Sequence, residues 1–509
     1  MRRIFAITVF LGLFCASQSD ANGIVGDEPA VCPTAKSTWQ IEPVWSHRSI
    51  DAAATTVSQD VLTIAATDAD RQKQHADKLE RLKRREAVSS LLRTGAAALS
   101  LQASEYLRSS GEESATGLYQ VGNVVEVAQR RIIHPTDWHA THSGAAFTYR
   151  VRVDGAIAVR LMMRASVALN AYAIGSSGTI LGPFRIDESL SWTGLAVGDE
   201  FSLAIFESDN IGIGDKAFEI AVSAVEVLDE RFEPARHLAA QFTESTKSYC
   251  NDPLILPCMV NASCYGTSDF SAITAARQAT ASLHYVVGSG SFLCTGNLLN
   301  DADPDSVVPY LLTANHCIST QASASSLELY WDYSTPCNST ACTSSTLITQ
   351  TGGADLLSTG ARPGLPDYTL LRLRTKPPVG AGRSYLPVHS GAVGEVFVYR
   401  ISHPYGKPQS FTRSIIRGSD WIGSGACPTT LPYPGFLYST LSVGATQGGS
   451  SGSALMLPSG AVIGQLFGSC VRGNTCSQDW DVDGQMFFTY PRISPYLQQI
   501  DLIARRGFE

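Results

Sequence analysis

Ten of the twelve cysteines fall between Cys250 and Cys476. Cysteines at that density persist where thiols oxidise, so the C-terminal half reads as a disulfide-stapled domain made in an oxidising compartment. Only 17% of the residues are charged and 43 of 509 are glycine, which suits a β-rich exported chain. The length leaves room for two or three domains, each with its own core.

The start of the chain agrees. Met1-Arg2-Arg3 is a short basic stretch, and Ile4 to Ala16 is an apolar run too short to span a bilayer. Ser19-Asp20-Ala21 supplies small residues at a cleavage position, so an export signal is expected over 1–21 and a secreted product after it. No other stretch is long and apolar enough for a membrane helix, so no membrane partner is expected. The formal net charge of −8, without a basic patch, speaks against nucleic acid as a partner.

From 22 to about 140 the sequence is polar and mixed. Leu79, Leu82, Val88, Leu91 and Leu92 recur at near-helical spacing, which predicts one amphipathic helix within Asp68 to Leu101. Its Lys78 to Glu86 run carries Glu80 and Glu86 among the bases and reads as a solvated face. From 141 to 235 the period changes to two: Phe147, Tyr149, Val151 and Val153 alternate with polar residues, and Phe201, Leu203 and Ile205 do the same. With turns such as Asp154-Gly155 between the runs, a small antiparallel β-sandwich is expected. It holds no chemical constellation. Residues 236–247 read as a linker, and 248–509 as a domain of short strands forming two packed antiparallel barrels. Gln485 to Tyr490 is expected as a strand, and Ile493 to Arg506 as a C-terminal helix.

The chemistry concentrates in Gln447-Gly448-Gly449-Ser450-Ser451-Gly452-Ser453-Ala454. A nucleophilic serine needs an exposed hydroxyl, room for substrate, and backbone N–H groups aimed at the developing oxyanion. Gly449 and Gly452 permit such a backbone, and the N–H groups of Gly449 and Ser451 are the candidate hole. Taken alone, the stretch is equally a flexible turn. Upstream, Leu311-Leu312-Thr313-Ala314-Asn315-His316-Cys317 places a histidine after an apolar run, and Asp367 opens the strand-like Tyr368-Thr369-Leu370-Leu371. The order His, Asp, Ser excludes an α/β-hydrolase, which runs Ser, Asp, His.

These segments, with Cys294-Thr295-Gly296-Asn297-Leu298, His403-Pro404, Gly464-Gln465-Leu466 and Asp481 through Phe487, resemble the lysyl endopeptidase branch of the trypsin-like serine proteases. The resemblance covers about 250 to 500 and leaves the N-terminal half uncovered. It implies a mainly β fold with a chymotrypsin-like double β-barrel, preceded by a helical or irregular pro-region and the small sandwich. It also implies a secreted, monomeric zymogen that cuts proteins and peptides after lysine, with arginine as the broader alternative. His316 would be the general base, Asp367 the group holding its imidazole, and Ser451 the nucleophile. Asp481 would bind the substrate lysine, with Asp479 and Asp483 nearby and Asp483 its competitor in register. The implied disulfides are Cys294 with Cys317 and Cys264 with Cys337, and Cys258 would reach the segment of Cys470 and Cys476. Cys250, Cys342 and Cys427 are extra to the pattern.

Ahead of such a domain the sandwich reads as a propeptide, folding aid or inhibitor; a carbohydrate- or surface-binding module is the alternative. Lys247-Ser248 is then a self-cleavable bond, with Arg236-His237 as second candidate. The chain departs at Phe467 from the family it resembles, whose pattern there is a histidine stacked on a tryptophan; Trp421 is the nearest candidate for that tryptophan. No cofactor and no metal are expected, since His134, His139, His142 and His237 lack zinc spacing. The rival readings are a broader basic-specific protease and an inert protease fold kept for binding.

Overall fold

The structure, a computed structural model, describes residues 60–94, 96–107, 118–240, 258–303, 307–337, 346–360, 366–417, 435–469 and 480–498. Expectations on Cys32, Lys247-Ser248, Cys250, Cys342, Trp421, Cys427, Cys470, Cys476 and Asp479 lie outside them.

The protein is mainly β. A helix over Asp68–Ala87 starts at a capping box: the Thr67 hydroxyl accepts from the Asp70 N–H at 3.1 Å, and the Asp70 carboxylate accepts from the Thr67 N–H at 2.9 Å. It is shorter than the expected stretch. A brief helix over Ser89–Thr94 follows it, and Leu99–Gln102 is then a strand, parallel to Gly144–Asp154. The alternation of Leu99 and Leu101 with polar neighbours is period two, and the sheet edge it meets decides its form.

The sandwich forms where the alternation placed it. Gly144–Asp154, Glu200–Phe206, Leu169–Gly175 and Ile180–Ile186 make one sheet with Leu99–Gln102. Phe147, Tyr149, Val151 and Val153 point inward with Phe201, Leu203 and Ile205 against Leu161, Met163 and Ile220 of the facing sheet. Two strands of this unit, Leu99–Gln102 and Tyr119–Ile133, lie wholly before residue 140 and a third, His139–Thr141, begins there, where a helical or irregular pro-region was expected. The first two could not be placed by periodicity because their partners lie far along the chain.

The facing sheet does not stop at the sandwich. Tyr119–Ile133 pairs with Phe218–Leu228 on one side and with Gly290–Leu299 on the other, so one sheet of twelve strands runs from the sandwich into the C-terminal half. We call Tyr119–Ile133 the bridging strand. Gly122 lets it close up, since a Cβ there would lie 2.4 Å from the Val227 carbonyl oxygen.

The C-terminal half holds two barrels. The first is built from Thr280–Val287, Gly290–Leu299, Tyr310–Thr313, Glu328–Trp331, Ile348–Gln350, Ala354–Gly360 and Tyr368–Leu373. The second closes as a ring of Phe397–Ser402, Ser410–Arg417, Phe436–Val443, Trp480–Gln485, Val462–Ser469 and Ala454–Met456, the last returning to the first through Tyr399 and Met456. A closed ring leaves no strand edge open.

Two further elements differ from expectation. The C-terminal helix is Met486–Leu497, and the strand before it ends at Gln485. Phe487, Phe488 and Tyr490 carry strand propensity, but Met486, Thr489, Ile493 and Leu497 form a buried helical face, and tertiary burial overrides the local preference. Arg236-His237, expected in a linker, lies in the helix Glu233–Ala240. His237 is buried edge-on against Tyr333, and Glu233 binds Lys407 Nζ at 3.0 Å, so this bond is folded away from a protease.

Candidate active site

The strands Tyr310–Thr313 and Tyr368–Leu373 pair antiparallel, with Thr313 opposite Thr369. That register brings the residues after Thr313 and those before Tyr368 to one end of the ladder, and there His316 meets Asp367. The His316 N–H donates to Asp367 Oδ1 at 2.9 Å, and His316 Nδ1 is hydrogen-bonded to Asp367 Oδ2. Asp367 is buried while a quarter of the His316 side chain stays exposed. Gln465 Nε2 donates to the Asp367 carbonyl oxygen at 3.0 Å and holds the acid from behind. A Cys294–Cys317 disulfide ties the residue after His316 to the strand Gly290–Leu299, and a second disulfide joins Cys264 to Cys337. These are the pairs the resemblance implies. Cys258 is also disulfide-bonded.

Ser451 is held between the two barrels. Its carbonyl oxygen accepts from the Thr295 N–H at 2.8 Å, and the next residue, Gly452, donates its N–H to the Leu466 carbonyl at 2.8 Å. At Gly452, with φ +81°, a Cβ would lie 2.2 Å from Thr313 Oγ1 and 2.8 Å from the Ala314 nitrogen, so only glycine lets this turn touch the histidine segment. The neighbours Ser450 and Ser453 are fully buried, with Ser450 Oγ bonded to Ser402 and Ser453 bonded to Arg400, whereas Ser451 is half-exposed. Among the described residues no hydrogen bond joins the Ser451 hydroxyl to His316.

The turn also sorts its own donors. The N–H groups of Ser450, Gly452 and Ser453 are taken by Gln447, Leu466 and Ser450 carbonyls. Those of Gly449 and Ser451 have no acceptor among the described residues. The Gly448 carbonyl accepts from the Tyr405 N–H, so across the trans peptide the Gly449 N–H points away from Tyr405. Gly449 takes φ +91°, and a Cβ there would meet the His403 carbonyl oxygen at 2.7 Å. Two free N–H groups beside a serine make a place for a developing negative charge.

The two acids that competed in register are separated. Asp483 belongs to Arg400, whose Nη2 lies 2.6 Å from its Oδ1. Burial pushes the Asp483 carboxyl up, and Arg400 acts against that shift. Asp481 accepts from Thr446 Oγ1 at 2.6 Å and lies 3.7 Å from Arg400 Nε. Thr446 stands five residues before Ser451, in the loop that joins Phe436–Val443 to the serine turn. Phe467 packs edge-on against His316, ring centres 5.8 Å apart, and against Phe436 at 5.5 Å.

Thr295, Thr446, Arg400 and Gln465 were not singled out from sequence. Thr295 N–H holds Ser451, and its hydroxyl donates to the Gly449 carbonyl at 2.8 Å; its signal was its place in the Cys294-Thr295-Gly296 motif. Arg400 stands alone in an ordinary strand and carried no signal. Cys294, His316 and Cys317 bring donor atoms within 4.8 Å of one another, but the two sulfurs are bonded to each other and offer no thiolate for a metal.

Residues 256–483 match the family described as lysyl endopeptidase, C-terminal domain. Lysyl endopeptidase of Pseudomonas aeruginosa is 31% identical over 253 residues, 47% of this chain and 51% of that protein. A secreted RxLR effector protein 73 of Plasmopara viticola is 31% identical over 212 residues, 38% of this chain and 45% of that one. The chain thus spans about half the length of the curated relatives it matches. Among solved structures, the HtrA-type protease AlgW with tripeptide aligns at TM-score 0.30 and 20% identity, over 45% of this chain and 64% of that chain. The active form of the Rv3671c protease from M. tuberculosis aligns at TM-score 0.29 and 15% identity, over 48% and 92%.

Proposed function

We propose that this chain, whose residues 256–483 match the lysyl endopeptidase C-terminal domain family, is a serine endopeptidase that cuts on the carboxyl side of lysine. The observation that carries the reading is the ladder end. There Asp367 grips both the backbone and the Nδ1 of His316, and the Ser451 turn is packed against the same segment.

In this reading His316 takes the proton of the Ser451 hydroxyl as it attacks the carbonyl, and returns it to the leaving amine. Asp367 holds the ring with Nδ1 protonated and stabilises the imidazolium. The Gly449 and Ser451 N–H groups stabilise the oxyanion, and water then hydrolyses the acyl-enzyme by the same route reversed. Asp481 supplies the negative charge for a cationic side chain, since a buried carboxylate penalises entry of a neutral one. We further propose export by residues 1–21 as a precursor in which 22–235 precede the protease and cleavage falls at Lys247-Ser248.

The test is cleavage of peptides that differ only in the residue before the scissile bond, by wild type and by Ser451→Ala. Cutting after lysine, lost in the variant, is the expected result. Equal cutting after arginine would leave the triad and replace the specificity with a broader basic one.

A further inference from the structure

We propose that the bridging strand occupies the leaving-group side of the Ser451 site, so that the uncut chain turns over lysyl esters and small amides but excludes polypeptides. This rests on the serine endopeptidase reading above.

One strand edge carries the argument. On one side Gly290–Asn297 pairs with Thr280–Val287. Its other side is shared: the bridging strand takes Gly290–Leu293, Thr295 takes the Ser451 carbonyl, and Tyr310–Thr313 takes Asn297–Leu299. Tyr119 stands opposite Leu293, two residues before Thr295. Successive residues on the same side of a strand are about 7 Å apart, so Tyr119 lies next along this edge from the nucleophile's own backbone.

The remaining contacts say which half of a substrate is displaced. On the opposite flank of Ser451, Gly452 binds Leu466, Phe467 meets His316, and Ser469 pairs with Asp481. A substrate with its lysine towards Asp481 therefore lies with its acyl half on that flank, and its leaving half runs out over the Leu293 edge. Extended peptides bind such edges by adding a strand, and the bridging strand is already there. Tyr119 also packs on the reactive turn: a Cβ at Gly448 would be 3.2 Å from Tyr119 Cβ, and the Tyr119 ring lies 4.9 Å from that of Tyr405. The preceding residue, Leu118, is buried in the barrel core. The strand is anchored on both sides of the contact, so a leaving peptide must displace a folded element.

The chemistry predicts a division by leaving group. In an ester of lysine, Ser451 Oγ bonds the carbonyl carbon, the bond to the alcohol oxygen breaks, and the alcohol leaves with the proton from His316. Nothing in that step needs the Leu293 edge. A peptide with several residues beyond the scissile bond does need it.

The experiment uses the intact full chain, its integrity checked by mass during the assay. Its kcat/KM is compared on a lysine ester and on a peptide carrying four residues beyond lysine. The acyl-enzyme formed from the ester is also offered a dipeptide amide as competing nucleophile. We expect ester turnover, no transfer to the dipeptide amide, and peptide turnover lower by roughly 100-fold, as when the state with the strand displaced makes up about 1% of the chain. Tyr119→Pro removes the N–H at this pairing and should raise the ratio of peptide to ester turnover at least about tenfold; Tyr119→Ala should give a smaller rise of that ratio in the same direction. Acyl transfer to the dipeptide amide by the intact wild type, or peptide turnover equal to that of the ester, would overturn the proposal alone. Absence of ester turnover both in the intact chain and after removal of the N-terminal half would overturn the enzymatic reading and this one with it.

Discussion

Arg160, on the sandwich, reaches Glu328, on the first barrel: its Nη1 lies 3.4 Å from the carboxylate and donates to the Ser326 carbonyl at 2.9 Å. Its Nε binds Glu226 Oε2 at 2.6 Å, and the other oxygen of Glu226 meets His284 Nε2 at 2.9 Å. All four side chains are fully buried and they come from both halves of the chain. Burial pushes Glu226 up, but Arg160 and His284 outweigh it and hold it at about 2. Glu328 gains less from Arg160, feels Glu226, and burial lifts it to about 7.

Stability should therefore respond to pH through opposing groups. Burial lowers His237 to about 3 and His403 to about 4, and lowers His284 as well. Each takes up a proton on unfolding once pH drops below 6.5, so these three destabilise the fold progressively in acid. Glu328 acts oppositely. It stays protonated in the folded chain to about 7 against an ordinary 4.5, so its contribution declines as pH rises through that window, by at most about 3 kcal/mol. Thermal midpoints of wild type and Glu328→Gln across pH isolate it: the variant should gain on wild type from about 4.5 to about 7 and no further. A constant difference would show that Glu328 does not titrate there.

Removing the nucleophile with Ser451→Ala should lower ester kcat by about a millionfold, and Asp367→Asn by about 10⁴ because His316 then adopts the wrong tautomer. Active-site titration and steady-state rates on a lysine ester measure both. A small effect of Asp367→Asn would mean that the backbone bond to His316 positions the ring by itself.

Asp481 and Asp483 should separate by readout. Asp481→Asn is expected to lower kcat/KM for lysine by about 100-fold or more, since an uncompensated cation would enter the site, and to cost less in unfolding than Asp483→Asn because its nearest Arg400 nitrogen is 3.7 Å away. Asp483→Asn breaks the Arg400 pair and should cost about 3–5 kcal/mol in denaturant unfolding. If Asp483→Asn instead abolished lysine preference in a stable protein, the two assignments would be exchanged.

Replacing Cys294 and Cys317 together by alanine opens a loop with a sequence separation of 23 residues. The expected cost is about 3 kcal/mol in the unfolding free energy, from restored freedom of the unfolded chain. Activity should fall further than stability explains, because Cys317 adjoins His316. A folded variant with full kcat would show that the Asp367 contacts position the ring unaided.

Much of the candidate site was legible because its residues sit at the ends of strands marked by strong local signals. Leu311-Leu312-Thr313 and Tyr368-Thr369-Leu370 read as strands by themselves, and once they pair, His316 and Asp367 must meet. The sandwich core was legible for the same reason, from period-two alternation at Phe147 to Val153. What escaped was non-local. Nothing near Tyr119 says that it pairs with Leu293, and nothing near Arg160 says that its partners are Glu226 and Glu328. The helix Met486–Leu497 was misplaced because its aromatic residues prefer strands and only the barrel surface beneath it decides otherwise.

The sheet that runs through both halves also has a history. The chain emerges from its N-terminus, so the ladder of Phe218–Leu228 with the bridging strand can exist before Gly290 has been synthesised. Such an order would offer the first barrel a finished edge and lessen the entropy of closing its long-range pairings. A C-terminal half parted from that ladder would have to refold without the edge that the bridging strand presents to Gly290–Leu293.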